Sequence, residues 1–125
     1  MSLKLNVNKL IGRGFKFAMD ENITLYDATI VKLELTETYL YLTYLDWREE
    51  LKKLVFIDMI SVKMLDAIGE EVGDFIVEID NIKIQETCNK LKESASDYKL
   101  FKILPAWNRE ALIEIIAKEV NFCVE

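Results

Sequence analysis

Histidine is absent from this chain. That removes the imidazole base, the Ser-His and Cys-His nucleophilic pairs, and every histidine-bearing zinc site. Any catalysis would rest on carboxylates, Lys, Tyr or Cys, so the sequence favours a non-enzymatic role. Proline occurs once, at Pro105, and glycine four times, at positions 12, 14, 69 and 73. Neither residue is clustered, no repeat or low-complexity tract is present, and no linker divides the chain. Cysteine occurs twice, at Cys88 and Cys123, without metal-ligand spacing. Two distant cysteines without a secretory signal read as free thiols in a reducing cytoplasm. The longest apolar runs fall far short of the roughly 18 residues that read as a membrane-spanning helix. The start, "MSLKLNVNKLIGRG", has no apolar signal core.

What remains is an ordinary globular balance. The 125 residues are 51% hydrophobic and 30% charged, with a net charge of −6. This length fits one domain able to bury a core without staples. The acidic excess disfavours nucleic acid as a partner and makes membrane binding a weak expectation. "IGRGF" at 11–15 lacks the third glycine of a dinucleotide fingerprint and the Lys-Ser/Thr of a phosphate loop. The acids Asp66, Glu70, Glu71 and Asp74 crowd one turn without the spacing of a calcium loop. No cofactor and no metal are expected.

From Ile23 onward the apolar period is two. Val31, Leu33 and Leu35 alternate with Lys32 and Glu34, and Leu40 and Leu42 alternate with Tyr39, Tyr41 and Thr43. This is a hairpin pattern, turning at Thr36-Glu37. "DWREE" at 46–50 predicts the next turn, "LKKLVFI" at 51–57 a third strand, and "MISVKML" at 59–65 a fourth. "AIGEEVGD" at 67–74 reads as a turn and "FIVEI" at 75–79 as a strand. Asp80-Asn81 reads as a tight turn before a strand "IKIQE" at 82–86. The segment 87–97 fits a loop or a short helix, since Ile84, Cys88 and Leu91 keep helical spacing. "YKLFKIL" at 98–104 predicts a last strand, stopped by Pro105. Leu112, Ile115, Ile116 and Val120 then recur at helical spacing behind Asn108, a suitable N-cap. Trp107 is expected to pack at that helix's start. The expected plan is a single mostly β domain over 1–125. It has an N-terminal extension (1–20), antiparallel strands (23–104) and one C-terminal helix (108–121).

"ENITLYDATIVKL", then "YLYLTYL", then "LVFIDMISVKML" resembles the strand series of pleckstrin-homology-like (PH-like) domains, sharpest in the GRAM-like and bacterial members. The resemblance spans about residues 21–120. It implies a seven-stranded antiparallel bent sheet or roll capped by one C-terminal helix, and a prokaryotic protein- or peptide-binding adaptor rather than an enzyme. The first strands also resemble archaeal adaptors that join chemotaxis signalling to the archaellum motor. Lipid-binding members carry Lys and Arg around strands 1 and 2. The matching positions here offer Lys32, with Lys53 nearby, but also Glu34 and Glu37, so anionic headgroup binding is the alternative function.

Within the hairpin, the leucine side of the second strand is the expected core face, because a buried tyrosine hydroxyl needs a partner. Tyr39 and Tyr41 then face outward, with Trp47 at the following turn. These three aromatics are the candidate partner-binding residues. Self-association as a homodimer is a further expectation, through a sheet edge or the outer face of the helix, where Ile113 and Phe122 lie off the apolar stripe.

Overall fold

The computed structural model describes residues 25–107 and 110–123. The elements are β1 (Thr29–Leu35), β2 (Tyr39–Leu45), β3 (Leu51–Ile57), β4 (Ser61–Met64), β5 (Val72–Glu78), α1 (Ile82–Leu91), β6 (Lys99–Pro105), β7 (Ile113–Ala117) and β8 (Glu119–Phe122). A short 3-10 turn, Ala95–Asp97, precedes β6. The chain is mostly β, as the alternation predicts. The seven-stranded single sheet is not what forms: eight strands among the described residues build two four-stranded antiparallel sheets. Their orders are β1-β2-β3-β8 and β4-β7-β6-β5.

One ribbon serves both sheets. Ile57 lies opposite Glu119 at the end of β3–β8, and Ser61 opposite Ile116 at the start of β4–β7. The pairing therefore continues from sheet to sheet with one bend. At the bend, Asp58 takes a left-handed φ of 57°. Ile60 N–H donates to the Ile116 carbonyl (2.8 Å), and Lys118 N–H to that of Ile57 (3.0 Å). Strands that change sheets through such bends make the corners of orthogonal β packings. On the other side the sheets are laced together by Asp27 N–H to Val72 O (2.9 Å), Val72 N–H to Ala28 O (2.8 Å), Ile30 N–H to Glu70 O (3.1 Å) and Gly69 N–H to Ile30 O (2.7 Å). The result is a partly open barrel around one main core.

Leu40, Leu42 and Tyr44 of β2 are buried in that core, on the face the alternation predicts. Phe56 of the first sheet meets Phe75 and Phe101 of the second, with ring centroids 6.2 and 5.3 Å away. Strand β1 departs from the simple alternation. Ile30 pairs with Tyr44 but Lys32 with Thr43, so a bulge falls at Val31. The extra residue shifts the pleat. Ile30 is buried and Leu33 packs on the core, while Val31 and Leu35 are exposed.

The C-terminal helix expected at 108–121 is a correction: Ile113–Ala117 and Glu119–Phe122 are strands. Asn108, its expected cap, lies outside the described residues. The apolar spacing misleads because β7 is central and covered on both faces. Ile113, Ile115 and Ala117 enter the main core, and Ile116 enters a second cluster with Ile84, Cys88, Tyr98 and Leu100. A strand buried on both faces loses its alternation, and a short apolar run then imitates a helix face. The β-branched isoleucines favour the extended form.

The single α-helix among the described residues is α1, so the strand expected at 82–86 is also corrected. Of the two readings open for 87–97, the helical one holds as far as Leu91. Asn81 does not close a hairpin. Its Oδ1 accepts from Lys83 N–H (2.7 Å) as an N-cap, and its Nδ2 donates to Glu78 (2.6 Å). Ile84 and Cys88 bury the helix on the outer face of the second sheet, and Lys83 pairs with Glu114 of β7 at 2.9 Å. Burial pushes the Cys88 thiol upward, which keeps it in the unreactive protonated form. Tyr98, in the same cluster, is pushed up to about 12 by burial and by Glu93, to which its hydroxyl donates (3.2 Å). The N-terminal extension, 1–20, lies outside the described residues.

Candidate interaction surface

The β2–β3 connection is built by one carboxylate. Asp46 Oδ1 accepts from the backbone N–H groups of Arg48 and Glu50, both at 2.9 Å. Glu49 N–H donates to Asp46 O, and Glu49 takes a left-handed φ of 63°. This is a three-residue hairpin loop ending in a left-handed residue. It leaves Trp47 66% exposed, with the Arg48 guanidinium 5.5 Å from its ring centroid. The hydrogen bond from Glu50 N–H, with that from Arg48, holds the Asp46 carboxyl below its ordinary value of 3.8. A depressed folded pKa gives stability that is present above the ordinary value and lost as pH falls through the folded one. Asp46→Asn is therefore expected to lower Tm at pH 7. Tm measured against pH should show the gap between wild type and variant shrinking below about pH 4.

A second turn lies beside the first, because Thr29 pairs with Leu45. Ala28 N–H donates to Leu25 O (2.9 Å), and Asp27 takes a φ of 63°. Leu25 and Ala28 are buried, so Tyr26 between them is carried outward to 64% exposure. Tyr26, Trp47 and Leu51 thus project from the same end of the β1–β2–β3 meander. Tyr26 also lines a cleft of about 480 Å³ with Asp27, Gly73, Asp74, Ala106 and Trp107. A Cβ on Gly73 would sit 2.6 Å from Ala106 Cα and 2.8 Å from Pro105 O. Only glycine admits this approach, which brings Ala106 and Trp107 against the start of β5. Trp107, at 68%, is the most exposed large apolar residue among those described, followed by Trp47, Leu51 (65%) and Tyr26.

The sequence-predicted residues do not all meet here. Tyr39 is at one end of β2 and Trp47 beyond the other, about 23 Å of strand apart. Tyr39 and Tyr41 lie 6.4 Å apart on the outer face of the first sheet. Tyr41 is half-buried beneath the Lys53 ammonium, 5.6 Å from its ring. Lys32 and Lys53 share one carboxylate, Glu34, at 3.5 and 3.8 Å. Sequence reading missed Tyr26, Leu51 and Trp107. The signal available was an aromatic next to turn residues, in "LYDA" and "PAWN".

Among the described residues no group of three or more His, Cys, Asp or Glu is placed to hold a metal. Among them, no helix is long and apolar enough to cross a membrane. Comparison with protein families, with curated proteins and with solved structures finds no match.

Proposed function

We propose that this chain is a non-enzymatic interaction module that docks a protein partner through Tyr26, Trp47, Leu51 and Trp107. The carrying observation is that these are the four most exposed large apolar side chains described, three at one end of a meander and Trp107 sharing a cleft with one of the three, Tyr26. Two tryptophans and a tyrosine held in water are the residue types that dominate binding energy when covered. Tyr39 and Tyr41 form a secondary patch in this reading. An adaptor in a reducing cytoplasm agrees with the free thiols Cys88 and Cys123. Kinship with PH-like rolls, including the archaeal adaptors, remains part of the proposal at the level of bent antiparallel sheets presenting loops; the place of the helix departs from it. The helix face expected to carry self-association does not form, and Ile113 is buried in the main core, so homodimerisation through a sheet edge is the outcome that light scattering decides.

Peptides selected from a random displayed library on the wild-type protein are the test. Trp47→Ala/Trp107→Ala is expected to weaken them at least tenfold, about 1.4 kcal/mol. Equal affinity for both proteins would remove the proposal. Anionic headgroup binding is the weaker reading. Lys32 and Lys53 already share Glu34, and of the three lysines at a 260 Å³ cleft, Lys83 and Lys102 are paired with Glu114 and Glu78. Cosedimentation with phosphatidylserine vesicles that depends on Lys32 or Lys53 would reverse this order.

A further inference from the structure

Strand β1 is an edge of the first sheet, and we propose that it pairs with β1 of a second copy of this chain, antiparallel about a two-fold axis at Leu33. Tyr26, Trp47, Leu51 and Trp107 take no part in that contact, so it stands or falls separately from the docking surface.

The backbone decides which groups are offered. Thr36 N–H donates to Tyr39 O (2.8 Å), and in the same register Glu34 lies opposite Tyr41 and Lys32 opposite Thr43. Hydrogen-bonded positions alternate along an antiparallel ladder, so Lys32, Glu34 and Thr36 bond toward β2 while Leu33 and Leu35 point away from it. On that outer side Ile30 is taken, by Glu70 O and Gly69 N–H. The backbone groups of Leu33 and Leu35 have no partner there among the described residues. Unpaired N–H and C=O groups along an edge are a template for another strand.

The side chains choose the occupant. "VKLEL", 31–35, reads apolar, cation, apolar, anion, apolar, so the stretch is complementary to itself when reversed. Centring the pairing on Glu34 would set carboxylate directly against carboxylate, which destabilises a strand pair. Centring it on Leu33 sets Lys32 against the partner's Glu34, and Glu34 against the partner's Lys32, while Leu33 N–H and C=O bond their own counterparts. Lys32 and Glu34 already meet at 3.5 Å within one strand, and Lys53 reaches Glu34 at 3.8 Å. The dimer therefore extends an existing pair into an alternating row of charges; it does not fill an unmet charge. Leu35, Val31 and Ile68 are exposed along the same edge, Ile68 being brought beside Val31 by the bond from Gly69 N–H to Ile30 O. The bulge at Val31 and the bonds at Ile30 stop the new ladder, so the contact is short. A two-fold contact consumes the edge it uses, which gives a closed dimer and not a fibre. Thr29 lies opposite Leu45, so the Tyr26 and Trp47 end is at the start of β1. Antiparallel pairing then points the two docking ends in opposite directions, which makes the module bivalent.

Sedimentation velocity on the wild-type chain is expected to show a monomer–dimer equilibrium that moves with concentration. Lys32→Glu sets carboxylate against carboxylate, and Glu34→Lys sets ammonium against ammonium. Each alone should weaken the dimer at least tenfold, with circular dichroism unchanged because both side chains are exposed. Mixing the two variants puts opposite charges face to face at both positions and should restore association as a heterodimer. Lys32→Glu/Glu34→Lys in one chain should restore the homodimer. A wild-type chain that stays monomeric up to its solubility limit overturns the proposal. A dimer indifferent to both single substitutions moves the contact to another edge and overturns the assignment to β1. A mixture no more associated than either variant alone overturns the register.

Discussion

Phe101→Ala is expected to cost about 3–5 kcal/mol, the usual range for deleting a fully buried phenylalanine. Phe101 is 0% exposed, in T-shaped contact with Phe56 and stacked 6.2 Å from Phe75. Phe56 belongs to the first sheet, and Phe75 and Phe101 to the second. The ring therefore supplies contact between the sheets as well as within one. A domain of this size has roughly 5–15 kcal/mol of total stability, so the variant would sit near the edge of folding. Urea denaturation followed by far-ultraviolet circular dichroism measures it. A loss under about 1 kcal/mol would mean the two sheets do not share this aromatic core.

Gly73→Ala is expected to destabilise by about 1–3 kcal/mol, through overpacking rather than through φ. The new methyl meets backbone, Ala106 Cα at 2.6 Å and Pro105 O at 2.8 Å; Pro105 ends strand β6 and Ala106 N–H is tied to Glu71 O, so this backbone has little room to give. Gly69 is the contrast. It has open space around it but a φ of +88°, so alanine there costs conformational strain alone, about 1 kcal/mol. Gly73→Ala should also move Trp107, because the close approach at 73 seats Ala106 beside it. Paired denaturation curves and Trp107 emission separate the two. A Gly73→Ala protein as stable as wild type, with unshifted emission, would show that the strands do not approach as described.

Much of the sheet was legible because the strands that face water on one side write their pleat into the sequence. Leu40 and Leu42 against Tyr39 and Tyr41 is such a case, and Phe75 and Val77 is another. The helix was misplaced for two reasons. In β7, burial on both faces put Ile115 and Ile116 side by side, as a helix would. In α1, "IKIQE" alternates like a strand, yet only Ile84 of its two isoleucines is buried; Ile82 is 61% exposed. The bulge at Val31 left no mark in the sequence, since it depends on register with β2. Trp47 was legible as a candidate because a charged run flanks it between two strands. The cleft was not, because Tyr26 and Trp107 stand 81 positions apart in the numbering and meet only when the 27–30 and 69–72 segments pair.

The most direct test of the docking claim is an amide footprint on the isotope-labelled chain, titrated with a library-selected peptide. The largest shift changes are expected at Tyr26, Asp27, Trp47, Leu51, Gly73 and Trp107. Changes centred on Lys32, Tyr41 and Lys53 instead, on the outer face of the first sheet, would contradict it.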